Sequence, residues 1–505
     1  MTLPPHAPAD ENRSSLADRV LGGIAWSALG NVFQQVVAFG ISVTLARLLS
    51  PREFGVLAMV TVLLGFGNLL AELGFTAALI QRKDLSPAHL DSAFWLTLAS
   101  GSLLGLGFAL AAPAVARFYS EPQLVAVTRV MAVNFVLVPT AAVQLALMQR
   151  QMRFKKLAAI GVGKVVLAGA VGVTLAALDQ GIWSLVAHSL CLSAFGTAGL
   201  WLFSSWRPRL RFSVSSAREL WDYSGSLIGF GVANFWARNA DNILVGRFIG
   251  ATGLGIYSRA YSTMLLPLNQ IAAVLTTVMF PALASIQDDR ERLASVYLRA
   301  VGGVALVTTP VMLGVFVLAE DFVLAVFGSQ WAGVVPVLQV LVLLGVMQSL
   351  ASTVGWLYQA LGHTRMMFRW GLFSSAVIVA AIGVGVWMGS PVSVAAAYAG
   401  ASVLLTPLAL LLPGRLVGLG VADFTRAIWG PLAAGVLMAV TIGALRRWSP
   451  LPAAPWPHLL ILAPLGALIY WVAVSQIFRV ESYVSLRTLL LQKLRGRAAS
   501  TPNDS

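Results

Sequence analysis

Four charged side chains stand close together in an otherwise apolar stretch, ARNADNILVGRFIGATGLGIYSRAY (237–261). Arg238, Asp241 and Arg247 fall within ten residues, and Arg259 follows twelve further on. An arginine fork grips a phosphate through paired hydrogen bonds, and a carboxylate can take a proton or a small cation. The same arginine and aspartate, three residues apart on a helix, can instead neutralise each other between packed helices. Both readings follow from one physical fact. A charge at the centre of a membrane helix costs about 2.5–3.5 kcal/mol on insertion scales, so these groups should not face lipid.

The setting is a membrane because the chain is 505 residues long, 58% hydrophobic and only 11% charged, with a mean hydropathy of +0.81. A soluble domain carries about twice that share of charge. Continuous apolar runs recur at 20–46, 54–80, 91–116, 124–148, 157–178, 182–203, 222–246, 255–283, 293–318, 334–361, 370–389, 392–412, 428–445 and 457–478. They predict an all-α polytopic protein with about fourteen transmembrane helices, and unbroken runs favour helices over alternating barrel strands. The first eighteen residues are polar and have no short apolar core or cleavage site, so they read as a cytosolic tail.

Of the 34 lysines and arginines, 23 fall in inner loops and tails and 6 in outer loops when the N-terminus is placed inside. That asymmetry predicts both termini in the cytoplasm. The net charge of +14 is scattered between apolar runs, which is the membrane-loop pattern and gives no nucleic-acid surface.

Shifted by 200 residues, ARLLSPREFGVLA (46–58) lies over GRFIGATGLGIYS (246–258), with Arg47 on Arg247 and Gly55 on Gly255. The repeat predicts two pseudo-symmetric six-helix lobes, in the manner of secondary transporters. The expected division is a tail at 1–18, an N-lobe at 19–203, a basic linker at 204–218, a C-lobe at 219–413, a further helix pair at 414–478 and a basic tail at 479–505.

On the seventh run, Ser224, Gly231, Asn234, Asp241 and Asn242 share a sector of about 100° with Arg238, and on the first run Ser27, Asn31, Gln34 and Ser42 share one side. Two polar stripes aimed at one space predict a water-filled lumen. Arg238, Arg259 and Lys164, with Arg47 and Arg247 at the rim, make it cationic and suited to an anion. Asn31, Gln34, Asn234, Asn242 and Ser224 are its candidate polar lining. Asp241 and Glu72 are candidate sites for a coupling proton or sodium ion. Trp26, Phe33, Trp236 and Trp356 offer flat surfaces for sugar rings, or serve as packing and interface anchors.

Enzyme signatures are missing. There is no DxD and no HExxH, and GVGKVV (161–166) lacks the earlier glycine and the hydroxyl residue of a P-loop. The five histidines are dispersed, so no metal site is expected. Cys191 stands alone and reads as a small buried residue.

The stretch 237–261, together with ARLLSPREFGVLAMV and LAELGFTAALIQRKD in the first half, resembles polysaccharide-type (Wzx-like) oligosaccharide flippases of the MOP exporter superfamily, especially the colanic-acid exporter branch. The resemblance implies a MATE-like, V-shaped pair of six-helix lobes plus two C-terminal helices. It implies a bacterial inner-membrane protein that moves undecaprenyl-pyrophosphate-linked oligosaccharide from the inner to the outer leaflet by alternating access. It further implies no organic cofactor, and polysaccharide polymerase and chain-length machinery as partners. The alternatives are a lipid II-type flippase, a drug/cation antiporter of the same superfamily, which would want an acidic lumen, and a membrane glycan polymerase or ligase, for which a large outer loop is expected.

Overall fold

The computed structural model describes residues 11–72, 74–82, 84–448, 454–478, 480 and 483. Side chains are described for these residues apart from 11–29, 77, 222–231, 233, 234, 237 and 269–278. The chain divides into two compact units, Met1–Gly255 and Ile256–Ser505.

Unit 1 is built from α1 (Glu11–Leu48), α2 (Pro51–Ala71), α3 (Phe75–Gln81), α4 (Pro87–Tyr119), α5 (Leu124–Met131), α6 (Asn134–Leu137), α7 (Ala142–Arg150), α8 (Phe154–Ala177), α9 (Ile182–Phe203) and α10 (Val214–Phe248). The division falls within α11 (Ala251–Ala284). Unit 2 continues with α12 (Arg290–Val317), α13 (Ala319–Val326), α14 (Val334–Ser352), α15 (Val354–Ala360), α16 (Thr364–Trp387), α17 (Pro391–Gly414), α18 (Val421–Trp448) and α19 (Pro455–Val472). The packing places α10 in unit 1, whereas the sequence repeat divides the chain at the 204–218 linker.

Among the described residues, 11 helical segments are long and apolar enough to cross a membrane. They fall on eleven of the expected runs, and the other three runs fall on α1, α10 and α11, which are 38, 35 and 34 residues long. Three expected runs are interrupted. Gly74, at φ 66°, turns the backbone left-handed and separates α2 from α3. Pro139 opens a 3-10 turn between α6 and α7, and Thr353 separates α14 from α15. Pro267, Pro310 and Pro407 sit within continuous helices.

Several helices begin at a serine followed by proline. Ser50–Pro51, Ser86–Pro87 and Ser390–Pro391 start α2, α4 and α17, each with a capping box closed by Glu53, His89 or Ser393. Proline fits the first turn because its missing N–H has no partner there anyway. The box satisfies the N-cap amide, as where Ser50 N–H donates to Glu53 Oε2 at 2.7 Å.

In unit 1, small residues on α8 admit close neighbours. A Cβ on Gly169 would meet Ile41 of α1 at 2.1 Å, and one on Gly172 would meet His188 of α9 at 2.8 Å. Around α3, Phe75, Leu79, Phe94, Val143 and Leu220 form a core flanked by Trp201 and Trp206. Arg82 and His89 there both hydrogen-bond the Glu219 carboxylate. In unit 2, Tyr297, Trp356, Tyr358 and Phe424 share one core, and Leu306, Leu313, Met438, Ile442 and Tyr470 share another that joins α12, α18 and α19. The α18–α19 pair is also tied to α13 by charge. Arg446 reaches Asp321 at 2.5 Å and Glu320 at 2.7 Å, and His458 Nδ1 lies 2.9 Å from Asp321.

The two repeated turns meet inside unit 1. A Cβ on Gly55 would stand 1.7 Å from the Ala251 carbonyl oxygen, and one on Gly255 would stand 1.8 Å from the Pro51 carbonyl oxygen. The contact is reciprocal, residue for residue, at the same 200-residue shift. Backbone carbonyls cannot swing aside as side chains can, so Gly55→Ala and Gly255→Ala are each expected to destabilise the fold by about 1–3 kcal/mol. Thermal melting in detergent measures this. Gly40→Ala in α1, with nothing within 4 Å, is the control and should melt no lower than wild type.

The cluster around α3 makes a second prediction. Hydrogen bonds from His89 and then Arg82 hold the Glu219 carboxyl below its ordinary range. A carboxylate depressed in the folded state stabilises at pH above its unfolded pKa, and that contribution is lost as pH falls through the lower folded value. Glu219→Gln should therefore flatten the acid limb of melting temperature against pH, between about pH 5 and 3. An unchanged acid limb would remove Glu219 from the account.

Candidate functional site

The polar stripe on α10 is held against α2 by aromatic contacts. Phe66 of α2 meets Phe235 at 5.8 Å and Trp236 at 4.9 Å between ring centroids, and a Cβ on Gly65 would touch the Phe235 ring at 3.1 Å. These contacts fix the rotation of α10 and so decide which of its charges is covered. Asp241 is 3% exposed, and its Oδ1 accepts the Asn242 N–H at 2.7 Å. Arg238, three residues earlier, is exposed, and Asn242 is half-buried. Among the ion pairs of the described residues, none joins Arg238 to a carboxylate. The two charges therefore diverge, one into the unit and one out of it. Trp236, 41% exposed, stands two residues from Arg238. Two residues apart on a helix, the two side chains leave α10 on different sides: the indole packs on Phe66, and the exposed guanidinium is an anion-binding fork by itself.

The first stripe lies on α1. Asn31 is exposed, Phe33 is 53% exposed and Gln34 is half-buried. Gln34 Oε1 fills the space over Gly161 of α8, where a Cβ would stand 2.4 Å away. Lys164, one turn along α8 from Gly161, is half-buried and lays its stem against α9, with Cδ 3.3 Å from a Cβ built on Gly196. Asn31, Phe33, Gln34 and Lys164 thus belong to the α1–α8–α9 group, and Trp236, Arg238, Asp241 and Asn242 to the α2–α10 group.

Arg47, exposed at the end of α1, and Arg247, at the end of α10, lie near the two repeated turns. Arg247 donates to Ser120 Oγ at 3.3 Å and lies over the rings of Phe118 and Phe248 at 5.6 and 5.7 Å. Nearby, Arg52 pairs with Glu121 at 2.7 Å. Glu72 caps the C-terminus of α2 and is half-buried.

Two of the residues picked out in the sequence belong to unit 2. The guanidinium of Arg259 lies between Phe327, at 4.9 Å, and Trp331, at 5.1 Å, a packing role available to a flat cation. Trp356 is 3% exposed and lies in the core with Tyr297 and Tyr358. Trp26, Ser224 and Asn234 lie outside the described side chains.

Unit 2 also holds a mainly apolar pocket of about 130 Å³ with Gln348, Trp370, Ser374, Tyr398, Ser402 and Thr406 in its lining. Gln348 Nε2 donates to Tyr398 Oη at 2.9 Å. These residues come from α14, α16 and α17 and are spread over nearly sixty positions. Their polarity within apolar runs was the available signal, but no spacing in the sequence joins them. Among the described residues no group of three or more histidine, cysteine, aspartate or glutamate side chains could hold a metal ion.

The fold has known counterparts. The structure of the lipid II flippase MurJ in an inward closed conformation superposes with a TM-score of 0.73 at 13% identity, covering 90% of this chain and 98% of that one. An inward-facing multidrug resistance MATE family transporter of the MOP superfamily superposes with a TM-score of 0.60 at 15% identity, covering 76% and 94%. Sequence relatives include the teichuronic acid biosynthesis protein TuaB of Bacillus subtilis, 26% identical over 95% of this chain and 99% of its own. The lipopolysaccharide biosynthesis protein WzxC of Escherichia coli is 26% identical over 83% and 85%. The succinoglycan biosynthesis transport protein ExoT of Rhizobium meliloti is 29% identical over 74% and 76%. Residues 44–336, more than half of the chain, match the polysaccharide biosynthesis protein family, and with the MurJ- and MATE-like fold on the page the chain belongs to that family.

Proposed function

We propose that the protein flips undecaprenyl-pyrophosphate-linked oligosaccharide units across the bacterial inner membrane for surface or secreted polysaccharide. The observation that carries the reading is Arg238, an exposed cation on α10, one turn from the buried Asp241, in a run that the sequence predicts to span the membrane. A charge in that position is tolerable only toward water or an anionic ligand. Family membership and relatives named for lipopolysaccharide, teichuronic acid and succinoglycan biosynthesis supply the substrate class.

In this reading Arg238 takes the pyrophosphate, with Lys164, Arg47 and Arg247 extending the positive field along unit 1. The sugars meet the polar side chains and exposed rings of α1 and α10. The headgroup crosses by alternating access while the polyprenyl chain stays in the bilayer. Asp241, a carboxylate covered by protein on the same helix, is the candidate proton or sodium site. Both termini lie in the cytoplasm, as the loop charges require. The glycan polymerase and chain-length machinery act on the product at the outer face.

Deletion of the gene should abolish the surface polysaccharide and accumulate undecaprenyl-linked repeat units on the inner face, measured by lipid extraction and mass spectrometry. Accumulation of lipid II instead, or normal polysaccharide with lost drug efflux, would overturn the assignment. At the site, Arg238→Ala should lower export about tenfold or more, the loss of a charge-assisted hydrogen bond, and Arg238→Lys should retain part of it. Asn239→Ala should export normally. If both Arg238 variants fold and export like wild type, Arg238 does not hold the pyrophosphate.

A further inference from the structure

The basic segment between α9 and α10 is held to the N-terminal end of α4 by its own backbone. Asp91 Oδ1 accepts the Arg209 N–H at 3.1 Å, and Trp95 Nε1 donates to the Arg209 carbonyl at 2.8 Å. Ser92 Oγ accepts the Ser213 N–H at 2.9 Å and donates to the Ser213 carbonyl at 3.3 Å. Between these clamps the Arg211 N–H turns back to the Arg209 carbonyl at 2.8 Å. That i to i+2 bond makes a tight turn and drives the residue between them outward.

The residue is Leu210, 91% exposed, with Phe212 at 55% and Val214 at 68%. Arg209, Arg211 and Arg218 are exposed around them. Arg207 is spent locally: its guanidinium donates to the Ser204, Trp206 and Trp201 carbonyls and lies 5.5 Å from the Trp201 ring. Lys156 at the start of α8 lies over Phe203, the last residue of α9, at 5.6 Å. A soluble loop with this much exposed apolar surface would be a liability. Here the clamps reach one to two turns into α4 and hold residues six to ten positions past the end of α9, and both helices are long and apolar enough to cross a membrane. That sets the segment at the depth of lipid headgroups.

We propose that residues 206–214 form a docking surface for anionic phospholipid: Leu210 and Phe212 enter the headgroup layer of the adjoining leaflet, and Arg209 and Arg211 bind its phosphates. Alternating arginine and apolar residues match that layer, with acyl chain on one side of the phosphate plane and charge on the other. The clamps supply order in advance, so docking does not have to freeze a flexible loop. The inference concerns unit 1 alone and stands apart from the flipping reaction and from which leaflet is the cytoplasmic one.

The test uses the full chain with Cys191→Ser and Leu210→Cys, labelled with an environment-sensitive fluorophore and reconstituted in vesicles whose two leaflets have the same composition, so that orientation does not matter. In vesicles of phosphatidylcholine with phosphatidylglycerol, the label should be quenched by headgroup-region spin-labelled lipid and shielded severalfold from acrylamide. In pure phosphatidylcholine the shielding should fall. It should also fall with added salt and on Arg209→Gln with Arg211→Gln. The comparison of the two vesicle types needs no arginine variant, so misfolding of that variant would leave the test intact. Equal label depth in neutral and anionic vesicles would overturn the proposal, as would acrylamide access in both. Shielding only on addition of cytosolic protein would assign the surface to a protein partner and overturn it likewise.

Discussion

In hydrocarbon no water is present to satisfy a peptide group, so each backbone amide and carbonyl must be bonded within its own segment. Almost everything else in this chain follows from that constraint. It makes the spans helical, and it confines departures from the helix to places where another group takes over. The serine–proline starts of α2, α4 and α17 are such places, with the freed amide of the N-cap passed to Glu53, His89 or Ser393. The break at Gly74 is another, where Phe75 N–H returns to the Glu72 carbonyl at 3.0 Å.

Charges obey a second form of the same rule. Asp321, 5% exposed, is met by both Arg446 and His458, and Glu121 by Arg52. Arg259 is sheathed in aromatic rings. Arg238 differs from these in being exposed with no carboxylate beside it among the described residues. Arg129 and Arg299 share that condition, and what adds to it at Arg238 is its place on the polar stripe of α10.

The spans were legible because apolar run length is a direct measure of bilayer thickness, and eleven of them coincide with membrane-length helices. The interruptions were harder to see. Glycine and threonine at 74 and 353 look ordinary within apolar runs, and what breaks the helix is a backbone torsion or a local bond. Helical periodicity put Arg238 and Asp241 in one sector, but only the packing of α2 on α10 shows that one is covered and the other open. Residue type alone marked Trp356 as a candidate surface, whereas it lies buried in a core that gathers residues as far apart in sequence as Tyr297 and Phe424. The Gln348–Tyr398 pocket was hidden for the same reason: three helices contribute, and no local spacing records their convergence.

The Gly55–Gly255 contact bears on which positions of two matching turns are free to change. At most positions a change on one side can be absorbed by a smaller or more pliant side chain opposite. Here each glycine faces the other helix's carbonyl, and a carbonyl is common to all twenty residues, so no second-site replacement makes room. Replacement at either position therefore carries a cost that a change at the other does not relieve. Arg238 and Asp241, with Ala38 and Ile41 as their repeat partners, were under no such restriction. The two halves therefore match at the turn where backbone meets backbone, and differ on the face where only one carries charge.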